Sequence, residues 1–152
     1  MNVEQKIKKS DMVLLLLYFD NGAPINGMTQ FEKLVFLSQK EVLEKWKELE
    51  SSKFEFGPDR FGPLSTELYD ELDFLKSVQM VDSGDNNFKI TDKGQRFVQN
   101  RVFVRVPEHI RKDIEAIKVK HGRESLNDLL NYVYTNYPEY IVKSEIRDKI
   151  LG

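Results

Sequence analysis

Apolar residues recur at helical spacing along most of this 152-residue chain, and Gly, Asn, Asp and Pro clusters interrupt them. Met12–Phe19 is an apolar block behind Ser10, a candidate N-cap, and Asn21-Gly22 ends it. A loop with Pro24 and Gly27 follows. Thr29 and Glu32 stand as in a capping box. They open a second helix with Phe31, Leu34, Val35, Leu37, Val42 and Trp46 on one face and Glu41–Lys45 as an i,i+4 pair. Phe54 and Phe56 suggest a short extended piece, and Gly57-Pro58 and Gly62-Pro63 punctuate a loop anchored by Phe56 and Phe61. Pro63 and Ser65 announce a third helix with Leu68, Leu72 and Leu75 inward.

The pattern then changes period. Met80–Ser83 and Phe88–Ile90 read as strands around the turn Gly84-Asp85-Asn86-Asn87, with Met80, Val81, Phe88 and Ile90 supplying an apolar face. Thr91 or Asp92 caps the next helix, and Thr91-x-x-Gly94 marks the strand-to-helix step. Beyond Pro107, Ile110, Ile114 and Ile117 line a helix stopped at Gly122. Ser125 and Asp128 open another, with Leu126, Leu129, Leu130, Val133 and Tyr134 apolar, and Pro138 ends it. Ser144–Leu151 reads as a last short helix. The expected class is mainly α (α+β): a winged-helix-like core over residues 1–105 with a small β-hairpin wing, and a C-terminal helical extension over 106–152 packed on it.

Composition narrows the function. Cysteine is absent, which excludes a disulfide scaffold, a Cys zinc site and a Cys nucleophile, and fits a reducing compartment. The block 12–19 is far shorter than the ~20 residues of a membrane span and has no cleavage site behind it. A cytoplasmic protein with no membrane segment is expected. The two histidines, His109 and His121, lie about 18 Å apart on one helix and cannot share a metal. No phosphate loop, metalloprotease motif or nucleophile elbow is present. No enzyme, cofactor or small-molecule substrate is expected.

Charge makes the partner question sharper. The net charge is −2, but residues 1–92 sum to −6 and residues 93–123 to +6. A winged helix normally places its third helix in the major groove. Here that helix displays Glu67, Asp70, Glu71 and Asp73 beside Thr66, Lys76 and Ser77, and carboxylates oppose the counterion release on which DNA affinity rests. The candidate nucleic-acid contacts are therefore Lys89 on the wing and Arg101, Arg105, Arg111, Lys112, Lys118, Lys120 and Arg123 in the basic segment. The candidate protein contacts are Glu67, Asp70, Glu71 and Asp73, together with Tyr132 and Tyr137, one or the other of which lines a groove while Tyr134 is buried. A two-fold homodimer pairing basic helix with acidic helix is a third arrangement.

Three stretches, Lys33–Gln39 (KLVFLSQ), Phe61–Leu72 (FGPLSTELYDEL) and Asn131–Tyr140 (NYVYTNYPEY), give the chain a resemblance to small prokaryotic winged-helix-like proteins of the phage-associated Panacea or SocA-like antitoxin group. That resemblance implies a regulator or antitoxin that works by contacting another, toxin-like or regulatory protein, in some cases with duplex DNA, and without enzymatic activity.

Overall fold

Six consecutive apolar side chains, Met12–Leu17, are completely buried, so the helix that carries them must run through the middle of the molecule rather than along its surface. In this computed structural model, which describes residues 6–46, 51, 53–59 and 62–140, that helix is α1 (Lys9–Gly22). Lys8 is its N-cap, not Ser10: the Asp11 carboxylate reaches back to the Lys8 N–H at 2.9 Å. The helix proper stops where Phe19 becomes extended. Asp20, Asn21 and Gly22 then all take left-handed φ values, a conformation Asp, Asn and Gly tolerate better than other residues, and the chain reverses.

The segment after the reversal, expected to be a loop, forms the two-residue strand β1 (Ile25–Asn26). Two residues carry no readable period, so no strand signal stands out there. The second helix, α2 (Met28–Ser38), starts from Gly27 at φ +89°. The Thr29–Glu32 capping box does not form, because Glu32 is drawn into the interior. A π-helical turn (Gln39–Leu43) extends α2, and residues 47–50 lie outside the described residues.

The Gly-Pro pairs do more than punctuate a loop. They build an antiparallel ribbon, β2 (Gly57–Asp59) on β3 (Gly62–Leu64), with Pro58 opposite Pro63. Phe56 packs edge-on against Phe36 of α2 at 5.1 Å, as an anchor should, while Phe61 lies outside the described residues. The third helix, α3 (Thr66–Ser77), buries Leu68, Leu72 and Leu75. Strands β4 (Val81–Ser83) and β5 (Asn87–Ile90) form the expected hairpin, and β1 joins on the far side, so the antiparallel sheet runs β1-β5-β4. Thr91 accepts from the Gly94 N–H at 3.0 Å and donates to Gln79 O at 2.7 Å, closing the base of the hairpin. Gly94 is required there, since a Cβ would overlap Met80 O and the Ile90 side chain.

Helix α4 (Asp92–Phe97) continues through a π-helical turn (Val98–Val102) into the short α5 (Phe103–Arg105). Pro107 is the N-cap of α6 (Glu108–Gly122), which lies along α1 and α2 and buries Ile110, Ile114 and Ile117. Helix α7 (Leu126–Asn136) is capped by Ser125, whose Oγ accepts from the Asp128 N–H. It buries Leu129, Leu130, Val133 and Tyr134, whereas Leu126, expected on the apolar face, is exposed. A single turn of 3-10 helix, Pro138–Tyr140, follows, and the expected helix at Ser144–Leu151 lies outside the described residues. The chain is mainly helical with a small antiparallel sheet, and one apolar cluster extends from Ile7 to Val133. Among the described residues, no helix is long and apolar enough to cross a membrane.

Candidate protein-interaction surface

Helix α3 packs one face and leaves the other open. Thr66, Tyr69, Asp70, Asp73, Phe74, Lys76 and Ser77 are exposed. At 100° per residue, Asp73 and Asp70 sit about 60° apart, and Tyr69 and Phe74 flank them about 40° further out on either side. Two exposed rings thus bracket two carboxylates. Glu67 and Glu71 differ from Asp70 and Asp73. Glu67 accepts from the Glu55 N–H at 2.8 Å and from Lys9 Nζ at 3.1 Å, and these partners, the backbone N–H foremost, hold its carboxyl below the usual range. Glu71 is half-buried, and desolvation raises its pKa.

Most cations of the basic segment 93–123 have partners within the chain, although six of the nine, Lys93, Arg96, Arg101, Lys112, Lys120 and Arg123, are exposed. Arg105 forms a two-pronged pair with the fully buried Asp11, at 3.0 and 2.6 Å. Arg123 does the same with Asp20, at 3.1 and 2.6 Å. These pairs tie α5 to the start of α1 and the end of α6 to its reversal. Arg111 donates to Val106 O at 3.0 Å and lies over the Phe103 ring at 4.3 Å. Lys120 sits 5.5 Å over the Tyr132 ring. Among the described residues Lys112 pairs only with Glu108, 3.6 Å away, and both side chains are solvated.

Lys118 corrects the expectation outright. The residue is 2% exposed, and its ammonium donates to Leu16 O (2.5 Å), Phe19 O (3.0 Å) and Ala23 O (2.9 Å). It therefore supplies donors to the carbonyl end of α1, where a cation is favoured, and no phosphate can reach it. Burial pushes its pKa down to about 8, against the pull of Asp20. Lys89 and Arg101 are exposed and form no ion pair among the described residues. Spacing alone could not separate Lys118 from its neighbours. It does, however, follow Ile110, Ile114 and Ile117 on the inward side of the helix, and that is the signal that marks it.

The tyrosines of α7 divide as expected only for Tyr134, which is buried. Tyr132 and Tyr137 both donate to Glu41 Oε2 at 2.8 Å, so that carboxylate fastens α7 and the following turn to the π-helical turn of α2. Burial and then the Glu41 hydrogen bond raise Tyr132 to about 12, and Tyr137 moves in the same direction. The expected Glu41–Lys45 pair is replaced by Lys40–Glu44 at 3.5 Å. These two tyrosines brace the fold more than they offer a free surface.

A second cluster escaped the sequence reading. Glu32 and Lys33 are adjacent in α2, both buried, and paired at 3.2 Å. Lys33 also donates to Pro63 O at 3.0 Å, which secures β3. Desolvation raises the Glu32 pKa and lowers that of Lys33. The Tyr69 hydroxyl is 3.4 Å from the other oxygen of Glu32. Gly62, at φ +93°, lets the ribbon approach closely; a Cβ there would lie 3.2 Å from the Tyr134 ring and 3.6 Å from Lys33 Cε. His121 is buried with Nδ1 at 2.6 Å from Glu124, and His109 packs on Trp46 at 4.6 Å between ring centres. Among the described residues, no group of three or more His, Asp or Glu is arranged to hold a metal.

No protein-family model matches this chain, and no curated protein matches it.

Proposed function

We propose that this chain is a non-enzymatic regulatory or antitoxin-like module with a winged-helix-like core, and that it acts by contacting another protein. The winged-helix reading is supported by the order α1-β1-α2-β2-β3-α3-β4-β5, in which the β2–β3 ribbon is inserted between α2 and α3, and by a first strand that joins the hairpin to give the sheet β1-β5-β4. The observation that carries the protein-contact reading is the division of charge. The helix that would enter the major groove exposes Asp70 and Asp73, while Arg105, Arg123 and Lys118 are held by Asp11, Asp20 and the α1 carbonyls. A polyanion is repelled by the first group and finds few free cations in the second. The same internal pairing favours a different protein over a second copy, because α6 keeps little charge to offer the α3 of another chain.

The alternative is a DNA-binding regulator that uses the wing and the basic helix 107–123, through Lys89, Arg101 and Lys112. Affinity purification of the full chain from its native lysate, with nuclease treatment and absorbance at 260 and 280 nm, separates the two. A stoichiometric protein that stays bound after nuclease supports protein contact. Recovery of nucleic acid alone overturns it.

A further inference from the structure

The place where α3 meets the β2–β3 ribbon has an unusual occupant balance. Glu32 is 4% exposed, and its Oε1 is taken by Lys33. Among the described residues its Oε2 has only the Tyr69 hydroxyl, at 3.4 Å, well beyond the usual 2.5–3.0 Å for an O–H···O hydrogen bond. A nearly buried carboxylate oxygen is thus covered by a loosely held ring that is itself 45% exposed. Asp59 on β2 acts electrostatically on Glu32, Lys33 and Tyr69 alike, so its charge reaches the same spot. On the open side lie Asp70, with no ion pair among the described residues, and Asp73, which meets only Lys76 at 3.7 Å in solvent. Among the described residues, carboxylates outnumber cations here: Glu32, Asp59, Asp70 and Asp73 stand against Lys33 and Lys76.

A guanidinium suits the Glu32 carboxylate and the Tyr69 ring together. Its planar fork donates to a carboxylate, its flat face stacks on an aromatic ring, and it sheds water more readily than an ammonium. We propose that Tyr69 is the movable cover of an arginine-accepting site. An arginine of the partner displaces the Tyr69 hydroxyl, donates to Glu32 Oε2 and stacks on the ring, while Asp70 and Asp73 meet neighbouring cations. The partner surface on this face is therefore a cationic helix or strand bearing at least one arginine. This inference rests on the protein-contact reading and names the chemistry of its partner.

The test is a titration of the full ¹⁵N-labelled chain with a labelled alanine-based helical peptide carrying arginine at i, i+3 and i+4, followed by amide shifts and by fluorescence anisotropy. A peptide with citrulline in place of arginine has the same shape and no charge. Saturable shifts centred on Glu32, Tyr69, Asp70 and Asp73 are expected. The dissociation constant should rise tenfold or more in Asp70→Lys/Asp73→Lys and in Glu32→Gln, and stay within twofold in Asp85→Lys on the wing. Tyr69→Phe, which keeps the ring and removes the hydroxyl to be displaced, should bind as tightly or more tightly. This variant and the aspartate pair keep the test decisive if Glu32→Gln fails to fold. Equal binding of the citrulline peptide, shifts that persist in the aspartate pair, or no saturable shift overturns the site. If a stoichiometric protein is still captured from lysate, the site alone falls; if only nucleic acid is captured, the underlying reading falls with it.

Discussion

Arg105→Leu is the most informative change to the frame of the molecule. The native guanidinium grips Asp11 with two hydrogen bonds, and Asp11 is fully buried. Removing one partner of a buried pair costs about 3–5 kcal/mol, because the remaining charge is left without compensation. Two features reduce that here. The Arg105 side chain is 23% exposed, and Asp11 keeps the Lys8 N–H. A loss of about 2–4 kcal/mol is expected, or about 10 °C in Tm for a domain of this size. Urea denaturation followed by circular dichroism measures it. Asp11→Asn/Arg105→Leu should recover part of the loss, since the double change removes the buried charge as well as its partner. A single Arg105→Leu chain within 0.5 kcal/mol of the parent would refute the reasoning. Arg105 would then be a solvated cation, free to contact a phosphate.

Three further outcomes follow from the same structure. Lys118→Met leaves the carbonyls of Leu16, Phe19 and Ala23 without their shared donor and should cost about 2–4 kcal/mol in urea denaturation, given about 1–3 kcal/mol for each buried unsatisfied group and partial entry of water. Gly94→Ala forces a Cβ into Met80 O and the Ile90 side chain, so a loss of about 1–3 kcal/mol is expected, with weakened amide protection in β4 and β5. Tyr132 is harder to ionise folded than unfolded, so the unfolded chain gives up its proton first. Stability is unaffected below pH 10 and falls between pH 10 and about pH 12; Tyr132→Phe should flatten that decline in an alkaline denaturation series.

What could be read from the sequence was what repeats. The helical periods of α2, α3, α6 and α7 marked most of their inward residues, Leu126 excepted, and the β4–β5 hairpin stood out by its turn chemistry and Thr91-x-x-Gly94 step. What could not be read depends on tertiary partners. Strand β1 exists because β5 offers it an edge, and β2–β3 exists because Lys33 draws Pro63 inward and Gly62 allows the approach. Glu32, Lys33 and Lys118 look like ordinary surface charges until a carbonyl or carboxylate from another element is placed beside them. Summed charge correctly marked 93–123 as basic, but most of its cations act within the chain, where a count by segment cannot place them. The acidic display of α3 was legible because it is local: Asp70 and Asp73 face outward by the same period that turns Leu68 and Leu72 inward.

The most direct measurement is fluorescence anisotropy of a labelled 30-base-pair duplex titrated with the full chain at 50, 100 and 200 mM NaCl. Because α3 turns carboxylates outward and most cations of the basic segment are engaged by partners within the chain, no saturable binding is expected at 100 mM salt. Saturable binding whose logarithmic salt slope reports several phosphate contacts, and which Arg111→Glu/Lys112→Glu abolishes, would contradict it.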